Sequence, residues 1–393
     1  MIFRVLGIGN KRPVFTEKQF DFIRNGKVFS GGKRHFELVK EFLPKNYQWI
    51  FIKSPMEELF KQYEKANEEI LVFASGNPLF YGFSNTLRNK YPNAKIYTEP
   101  YFSSIQLLAN KTNINSNKLI SVSVHGRSWK ELDVAIMNQE PLIGVLTDNS
   151  KNPNTIADRL LKYGYDNYEI SIGEDLEGEQ EKIRTLSLSE VIQYEYYDLN
   201  CVLLKRKGKK AHYYGIKDSD FIGLPGRPKM ITKMPIRLTS LSLLDVTNAT
   251  VFWDIGFCTG SVSIEAKLRN PNLEITAFEK RPECEEIMGE NQQKFGVPGI
   301  EVVMGDFFEQ DLANYAKPDA VFIGGHGGKL FELLNQLDNI ISPETKIVMN
   351  TVQESSKITF KQSCKNLNWE LVEEMNIVLD SHNPITLLKA VKR

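Results

Sequence analysis

The stretch TVFWDIGFCTGSVSIEAKLR (250–269) constrains the fold of this chain more than any other. It reads as a buried strand ending at Asp254, a turn containing Gly256 and Gly260, and the opening of a helix. A strand, a glycine turn and a helix in that order belong at the carboxyl edge of an open parallel sheet, where such sheets bind ligands. A dinucleotide fold uses the same topology with the spacing G-x-G-x-x-G, which aims helix N–H groups at a pyrophosphate. Here the spacing is D-x-G-x-x-x-G, with the acid on the strand itself. An acid in that place suits a ligand with a cationic end better than a phosphate.

Strand-like apolar runs alternate with helical patterns along the whole chain. In the first half they fall at 4–9, 49–52, 69–75, 95–98, 119–124, 141–146, 168–173 and 201–205, and in the second at 250–256, 274–279, 300–305, 319–325 and 345–350. TEKQFDFIRNG and TIADRLLKYG are among the helices between them. With no tight hairpin signal, this pattern predicts largely parallel sheets and an α/β fold. At 393 residues the chain is long enough for two or three domains. The basic, non-periodic stretch KGKKAHYYG marks a linker at 207–215, giving domains at 1–206 and 216–393.

Forty-nine basic and forty-nine acidic residues cancel, which argues against a broad electrostatic grip on nucleic acid. Cys201, Cys258, Cys284 and Cys364 show neither CxxC pairing nor zinc spacing and read as free thiols in a reducing compartment, with no metal site. The five histidines, His35, His125, His212, His326 and His382, do not cluster. No apolar run is long enough to cross a membrane, and MIFRVLGIGN lacks a signal-peptide layout, so a cytoplasmic protein is expected.

S-adenosylmethionine carries an ammonium, a carboxylate and a sulfonium but no phosphate. Asp254 is placed to attract the ammonium, directly or through water. The next strand ends in Glu279, an acid able to accept two hydrogen bonds from a ribose diol. The third ends in Gly305-Asp306-Phe307, where Asp306 is placed for an adenine amino group and Phe307 for the ring, and the fourth runs into His326. These residues resemble the class I S-adenosylmethionine-dependent methyltransferases. More narrowly, Trp253–Ala266, Ala320–Gly328, GIKDSDF (215–221), KMITKMPIR (229–237) and Asn350–Val352 resemble the decarboxylating C15-methyltransferases of cobalamin biosynthesis. The resemblance covers about 215–393. It implies donor contacts at Thr232, Asp254, Gly256, Phe257, Cys258, Thr259, Gly260, Glu279, Asp306 and Phe307. It places His326 and Asn350 as catalytic candidates. Cys258 stands where that family has a glycine, and His326 where it has a small residue.

The first half contains no P-loop. VFASGNPLFYG (72–82) reads as a strand end followed by a rigid turn, and Ser103 and Ser104 open a helix. For the two serines ordinary capping stands beside ligand binding. Together with VLGIGNKRP, HGR (125–127) and EDLEGEQEKI (174–183), these segments resemble the tetrapyrrole methylases, and within them the precorrin C5-methyltransferases. Coverage is about 1–205. The resemblance implies a two-lobed α/β fold, donor contacts at Gly76, Asn77, Pro78, Ser103 and Ser104, and a homo-oligomer. Asn77 replaces the family's aspartate.

Tandem domains in this order resemble bifunctional enzymes that methylate a precorrin at C5 and C15 with decarboxylation, using two S-adenosylmethionine sites per chain. The partner implied is a small tetrapyrrole, with neither nucleic acid nor membrane. Its carboxylates call for basic residues: Arg12, Lys33, Arg34, His35 and Arg127 in the first domain, and Arg227, Lys229, Lys233 and Arg237 in the second. Two alternatives stay open. One is an RNA methyltransferase, disfavoured by the charge balance. The other is a chain in which one domain is silent and serves as scaffold, which Asn77 and Cys258 keep in view.

Overall fold

A computed structural model describes residues 1–66, 68–211, 213, 215–227, 229–379 and 384–393. His212 and His382 lie outside the described residues. The chain forms two compact units. The first holds Met1–Ser128, Glu140–Asp158 and Asn167–Gly208, and the second Trp129–Gln139, Arg159–Asp166 and Lys209–Arg393.

The first unit contains two sheets. One is entirely parallel, built from β1 (Ile2–Ile8), β2 (Val28–Gly31), β3 (Gln48–Phe51), β4 (Ile70–Ser75) and β5 (Lys95–Glu99), in the order β3-β2-β4-β1-β5. Central β4 is buried along nearly its whole length, as a parallel strand covered on both faces must be. Phe73 on that strand stacks on Trp49 at 6.0 Å and meets Phe15 and Phe29. The helix Glu17–Asn25 packs beside them, started by a capping box between Thr16 and Gln19.

The second sheet has β6 (Leu119–Ser123), β7 (Leu142–Leu146), β8 (Tyr168–Glu174), β9 (Lys182–Ser187) and β10 (Asn200–Arg206), in the order β6-β7-β10-β8-β9. Only β6 and β7 pair parallel; the other three pairings are antiparallel. The expectation of largely parallel sheets therefore fails here. The chain returns from β8 to β9 through the loop 175–181, which is too long to leave a tight-turn signature.

The second unit carries one seven-stranded sheet: β11 (Val251–Ile255), β12 (Glu274–Glu279), β13 (Ile300–Met304), β14 (Ala320–Ile323), β15 (Lys346–Thr351), β16 (Trp369–Ile377) and β17 (Ile385–Lys392). The order is β13-β12-β11-β14-β15-β17-β16. Strands β11 to β15 run parallel, and β17 and β16 close the edge antiparallel. Strand order reverses direction between β11 and β14, which opens a crevice at their carboxyl ends. Beneath it Trp253, Phe278, Leu334, Leu337, Ile347, Phe360 and Trp369 form a core. Among the described residues no helix is long and apolar enough to cross a membrane.

Phe360 sits fully buried in that core on the helix Glu354–Asn366. Phe360→Ala should destabilise the second unit by about 3–5 kcal/mol, read as a lowered midpoint for its unfolding in urea.

Candidate functional sites

In the second unit, β11 delivers Asp254 and Ile255 to the crevice, and the chain turns at once through Gly256 into the helix Ser261–Arg269. Gly256 has φ +81°, and a Cβ there would lie 2.7 Å from the Gly325 nitrogen. The neighbouring loop thus approaches too closely for any side chain. Cys258 also adopts a positive φ, +51°. That conformation favours glycine, so a cysteine here strains the backbone locally. Its Sγ is turned toward the Met230 carbonyl, 3.3 Å away.

Asp254 is fully buried. Its Oδ2 accepts from Ser263 Oγ at 2.6 Å, while Oδ1 is enclosed with no partner among the described residues. Burial pushes its pKa up to about 7, against the Ser263 hydrogen bonds, with nearby Glu279 adding to the rise. A sequestered oxygen of that kind is a vacancy for a donor group such as an ammonium. Glu279 ends β12 and is differently placed. Its Oε1 accepts from the N–H groups of Lys280 (2.9 Å) and Arg281 (3.1 Å), and its Oε2 from that of Cys258 (3.1 Å). Arg281 Nη1 spans both oxygens at 3.2–3.3 Å. The backbone bonds fix the carboxylate at the cavity wall, and the longer, part-exposed guanidinium contact is the more easily displaced.

Two cavities, of about 610 and 320 Å3, meet at this turn. Both touch Met230, Gly256, Cys258, Gly324 and Val352. The larger also takes in Glu279, Asp306, Phe307 and His326, and the smaller Thr232, Lys233, Asp254, Phe257, Thr259 and Asn350. Gly260 caps the following helix without lining either. Asp306 caps its own turn by accepting from the Phe308 N–H. Phe307 packs edge-on against Phe278 at 5.0 Å, so it is largely a core ring. His326 Nε2 lies 3.3 Å from Ser356 Oγ, its Nδ1 is buried without a partner among the described residues, and burial lowers its pKa. Asn350 exchanges hydrogen bonds with Ser240.

Arg237 corrects the expectation of a substrate contact. Its guanidinium is fully buried and lines neither cavity. It pairs with Asp218 and Glu265, donates to the carbonyls of Thr232 and Ile216, and covers the Phe221 ring. It is a strut that holds the segment bearing Thr232 and Lys233 against the helix Ser261–Arg269. The basic residues at the larger cavity are instead Lys280, Arg281 and Lys329, none of which belongs to a motif singled out in the sequence. Their only signal was position, directly after strand β12 and the Gly-rich loop following β14.

In the first unit a cavity of about 420 Å3 opens between the two sheets. Gly76, Asn77, Ser103, Ser104, Arg34 and His35 all line it. Gly76 has φ +59°, and a Cβ there would lie 3.1 Å from the Phe102 carbonyl. Asn77 Oδ1 accepts from the Leu79 N–H at 3.0 Å. An aspartate would make the same turn, so the substitution leaves the local backbone intact. Pro78 does not reach the cavity. Ser103 is the N-cap of the helix Ser104–Lys111, in a capping box with Gln106, so its hydroxyl is committed to structure. Arg127 is exposed, with its guanidinium 5.0 Å from the Tyr81 ring, and does not line the cavity. Arg12 is paired with Glu41. Much of the remaining wall is apolar, from Phe80, Phe102, Leu107, Leu146 and Leu176, with Asn10, Ser75, Tyr81 and Asn200 among its polar residues.

Comparison with known proteins places the chain in a family. A family model described as a precorrin methyltransferase domain matches residues 227–385. A precorrin-6Y C(5,15)-methyltransferase (decarboxylating) from Sinorhizobium sp is 31% identical over 331 residues, 83% of this chain and 78% of that one. A cobalt-precorrin-6B C(15)-methyltransferase (decarboxylating) from Salmonella typhimurium is 35% identical over 137 residues, 35% of this chain and 70% of its own. A cobalt-precorrin-7 C(5)-methyltransferase from the same species is 27% identical over 211 residues, 51% of this chain and 96% of its own. The chain is therefore a methyltransferase, of the kind that uses S-adenosylmethionine. It belongs to the precorrin-6Y C5,15-methyltransferase (decarboxylating) family, whose function is methylation with decarboxylation in cobalamin biosynthesis.

Removing one partner of a buried ion network leaves uncompensated charge. Arg237→Ala should cost about 3–5 kcal/mol of stability in the second unit, measured by denaturant unfolding. A cost below about 1 kcal/mol would return Arg237 to the list of ligand contacts.

Proposed function

We propose that both cavities systems of this chain are methyl-transfer sites, acting on one tetrapyrrole: C5 methylation at the cavity of the first unit, and C15 methylation with loss of a carboxylate at the paired cavities of the second. The implied conversion takes precorrin-6Y and two S-adenosylmethionine to precorrin-8X, two S-adenosylhomocysteine and carbon dioxide. On this reading a tetrapyrrole methylase domain (1–206) precedes a linker (207–215) and a class I methyltransferase domain (216–393), in a cytoplasmic homo-oligomer. The observation that carries it is the unpartnered, buried Asp254 Oδ1 beside the Gly256 turn, with the Glu279 carboxylate fixed on the same wall.

When bound, the donor supplies a methyl group on an electrophilic sulfonium. No activated serine or cysteine is needed, because an electron-rich ring carbon is the nucleophile. The chain's own residues then have three tasks. Asp254 and Glu279 fix the two ends of the donor, and such positioning contributes on the order of 7–11 kcal/mol to a bimolecular transfer. Lys280, Arg281 and Lys329 face the larger cavity and hold substrate carboxylates, whose spacing sets the macrocycle's orientation. His326 and the apolar wall around Phe308 exclude water from the carboxylate that leaves, and the conjugated ring takes up its electron pair. In the first unit the backbone at Gly76 and Ser104 and the apolar wall hold a second donor.

Incubated with precorrin-6Y and labelled donor, the full chain should give a product carrying two new methyl groups and lacking one carboxyl, by mass spectrometry. Gly256→Val should abolish C15 methylation and decarboxylation while C5 methylation continues. A variant that still methylates C15 would place that donor site elsewhere.

Donor binding in the second unit should also depend on pH in a defined direction. The Asp254 pKa is raised to about 7 in the empty site, so the proton is bound below that pH and opposes an ammonium partner. S-adenosylhomocysteine should therefore bind that unit about tenfold more weakly at pH 6 than at pH 8, with proton release on binding seen by calorimetry in buffers of different ionisation enthalpy. Asp254→Asn should weaken binding and flatten the profile.

A further inference from the structure

The mechanism above gives no task to Ser75, one of the polar residues lining the first cavity. Ser75 ends β4, opposite Ile8 of β1, and its hydroxyl lines the cavity. Two groups converge on its oxygen: Arg34 Nη2 at 2.8 Å and His35 Nε2 at 2.9 Å. The other ring nitrogen of His35, Nδ1, accepts the Gly32 N–H at 3.2 Å. A ring nitrogen that accepts carries no proton, so the proton of this imidazole is on Nε2. Nε2 therefore donates to Ser75. A hydroxyl oxygen has two lone pairs and one proton. Arg34 and His35 occupy both lone pairs. What remains is the O–H as donor, and among the described residues no acceptor takes it. Burial, with the Arg34 charge beside it, presses the His35 pKa down to about 4, so the ring stays neutral and keeps this tautomer at physiological pH.

We propose that Ser75 is a specificity-determining residue: its O–H, with the Arg34 guanidinium alongside, takes a ligand carboxylate, and His35 is the positioning residue that turns the hydroxyl outward. A hydroxyl and a planar guanidinium side by side match the two oxygens of a carboxylate. Among the described residues no acidic side chain lines the cavity to compete for them. The carboxylate has two possible sources, a side chain of the macrocycle or the amino-acid end of the donor. The macrocycle is favoured, because Gly76 and Ser104 already offer the donor a backbone cradle. The inference rests on the reading of this cavity as the C5 site.

The test uses the full chain with precorrin-6Y and saturating S-adenosylmethionine, following C5 methylation by mass spectrometry, and S-adenosylhomocysteine affinity by calorimetry. Ser75→Ala should raise KM for the tetrapyrrole about tenfold or more, with kcat within about twofold, as loss of a hydrogen bond to a charged group requires. Ser75→Thr, which keeps a hydroxyl, should recover most of that loss. His35→Ala should raise the same KM, and its effect should largely vanish when Ser75 is already alanine. A tenfold loss of S-adenosylhomocysteine affinity in Ser75→Ala, with KM for the macrocycle unchanged, would assign the carboxylate to the donor. Neither quantity changing would overturn the proposal. A wild-type chain that makes no C5-methylated product would instead overturn the reading of the cavity beneath it.

Discussion

The second unit depends on how its sheet treats two carboxylates delivered to neighbouring strand ends. Asp254 on β11 is stripped of water and given a single partner, Ser263, so its charge is costly and its free oxygen demands a donor. Glu279 on β12 receives three backbone N–H groups and a guanidinium, so its charge is compensated where it stands. The same residue class therefore acts as a vacancy in one place and as an anchor in the next. The difference comes from the backbone. The chain after β12 turns two N–H groups back onto Glu279, and the chain after β11, which passes beneath the loop at Gly325 and runs directly into a helix, gives its Cys258 N–H to Glu279 as well and leaves Asp254 Oδ1 without one. Without the glycine at 256 that passage would be blocked, and the cavities on either side of it would not meet.

Much of this is legible in the amino-acid sequence. Runs such as ILVFAS and TVFWDIG gave β4 and β11, because a parallel strand covered on both faces has to be apolar throughout. Residues Asp254, Gly256, Glu279 and Asp306 were found because ligand sites in such sheets fall at strand ends, and strand ends can be counted. The elements that escaped share a different physics. Strand β2 is four residues long and half of it is serine and glycine. Strand β16 presents Glu370, Glu373 and Glu374 because it forms the outer edge of its sheet, and an edge strand with charged residues reads as loop or helix. Lys389 interrupts the apolar run of β17.

Side chains were harder to place than strands. Arg237 reads as a ligand contact because its partners, Asp218 and Glu265, lie 19 and 28 residues away and nothing local announces them. Lys280, Arg281 and Lys329 read as ordinary surface charge. The capping role of Ser103 was one of two readings open to it, and Gln106 three residues on settles it. In each case the backbone position was readable and the identity of the partner was not, since partners are chosen by the fold rather than by spacing.

The cysteine at 258 has a chemical consequence of its own. If the cavities beside it hold the methyl donor as proposed, a sulfur nucleophile on their wall is exposed to alkylation by the very reagent they admit. Here burial, with the Glu279 charge nearby, pushes the thiol's pKa up, and its Sγ–H is directed to the Met230 carbonyl. Only the thiolate is a competent nucleophile, so the sulfur remains a bystander at neutral pH. A more polar pocket, or a cation moved next to that sulfur, would turn it into a suicide acceptor.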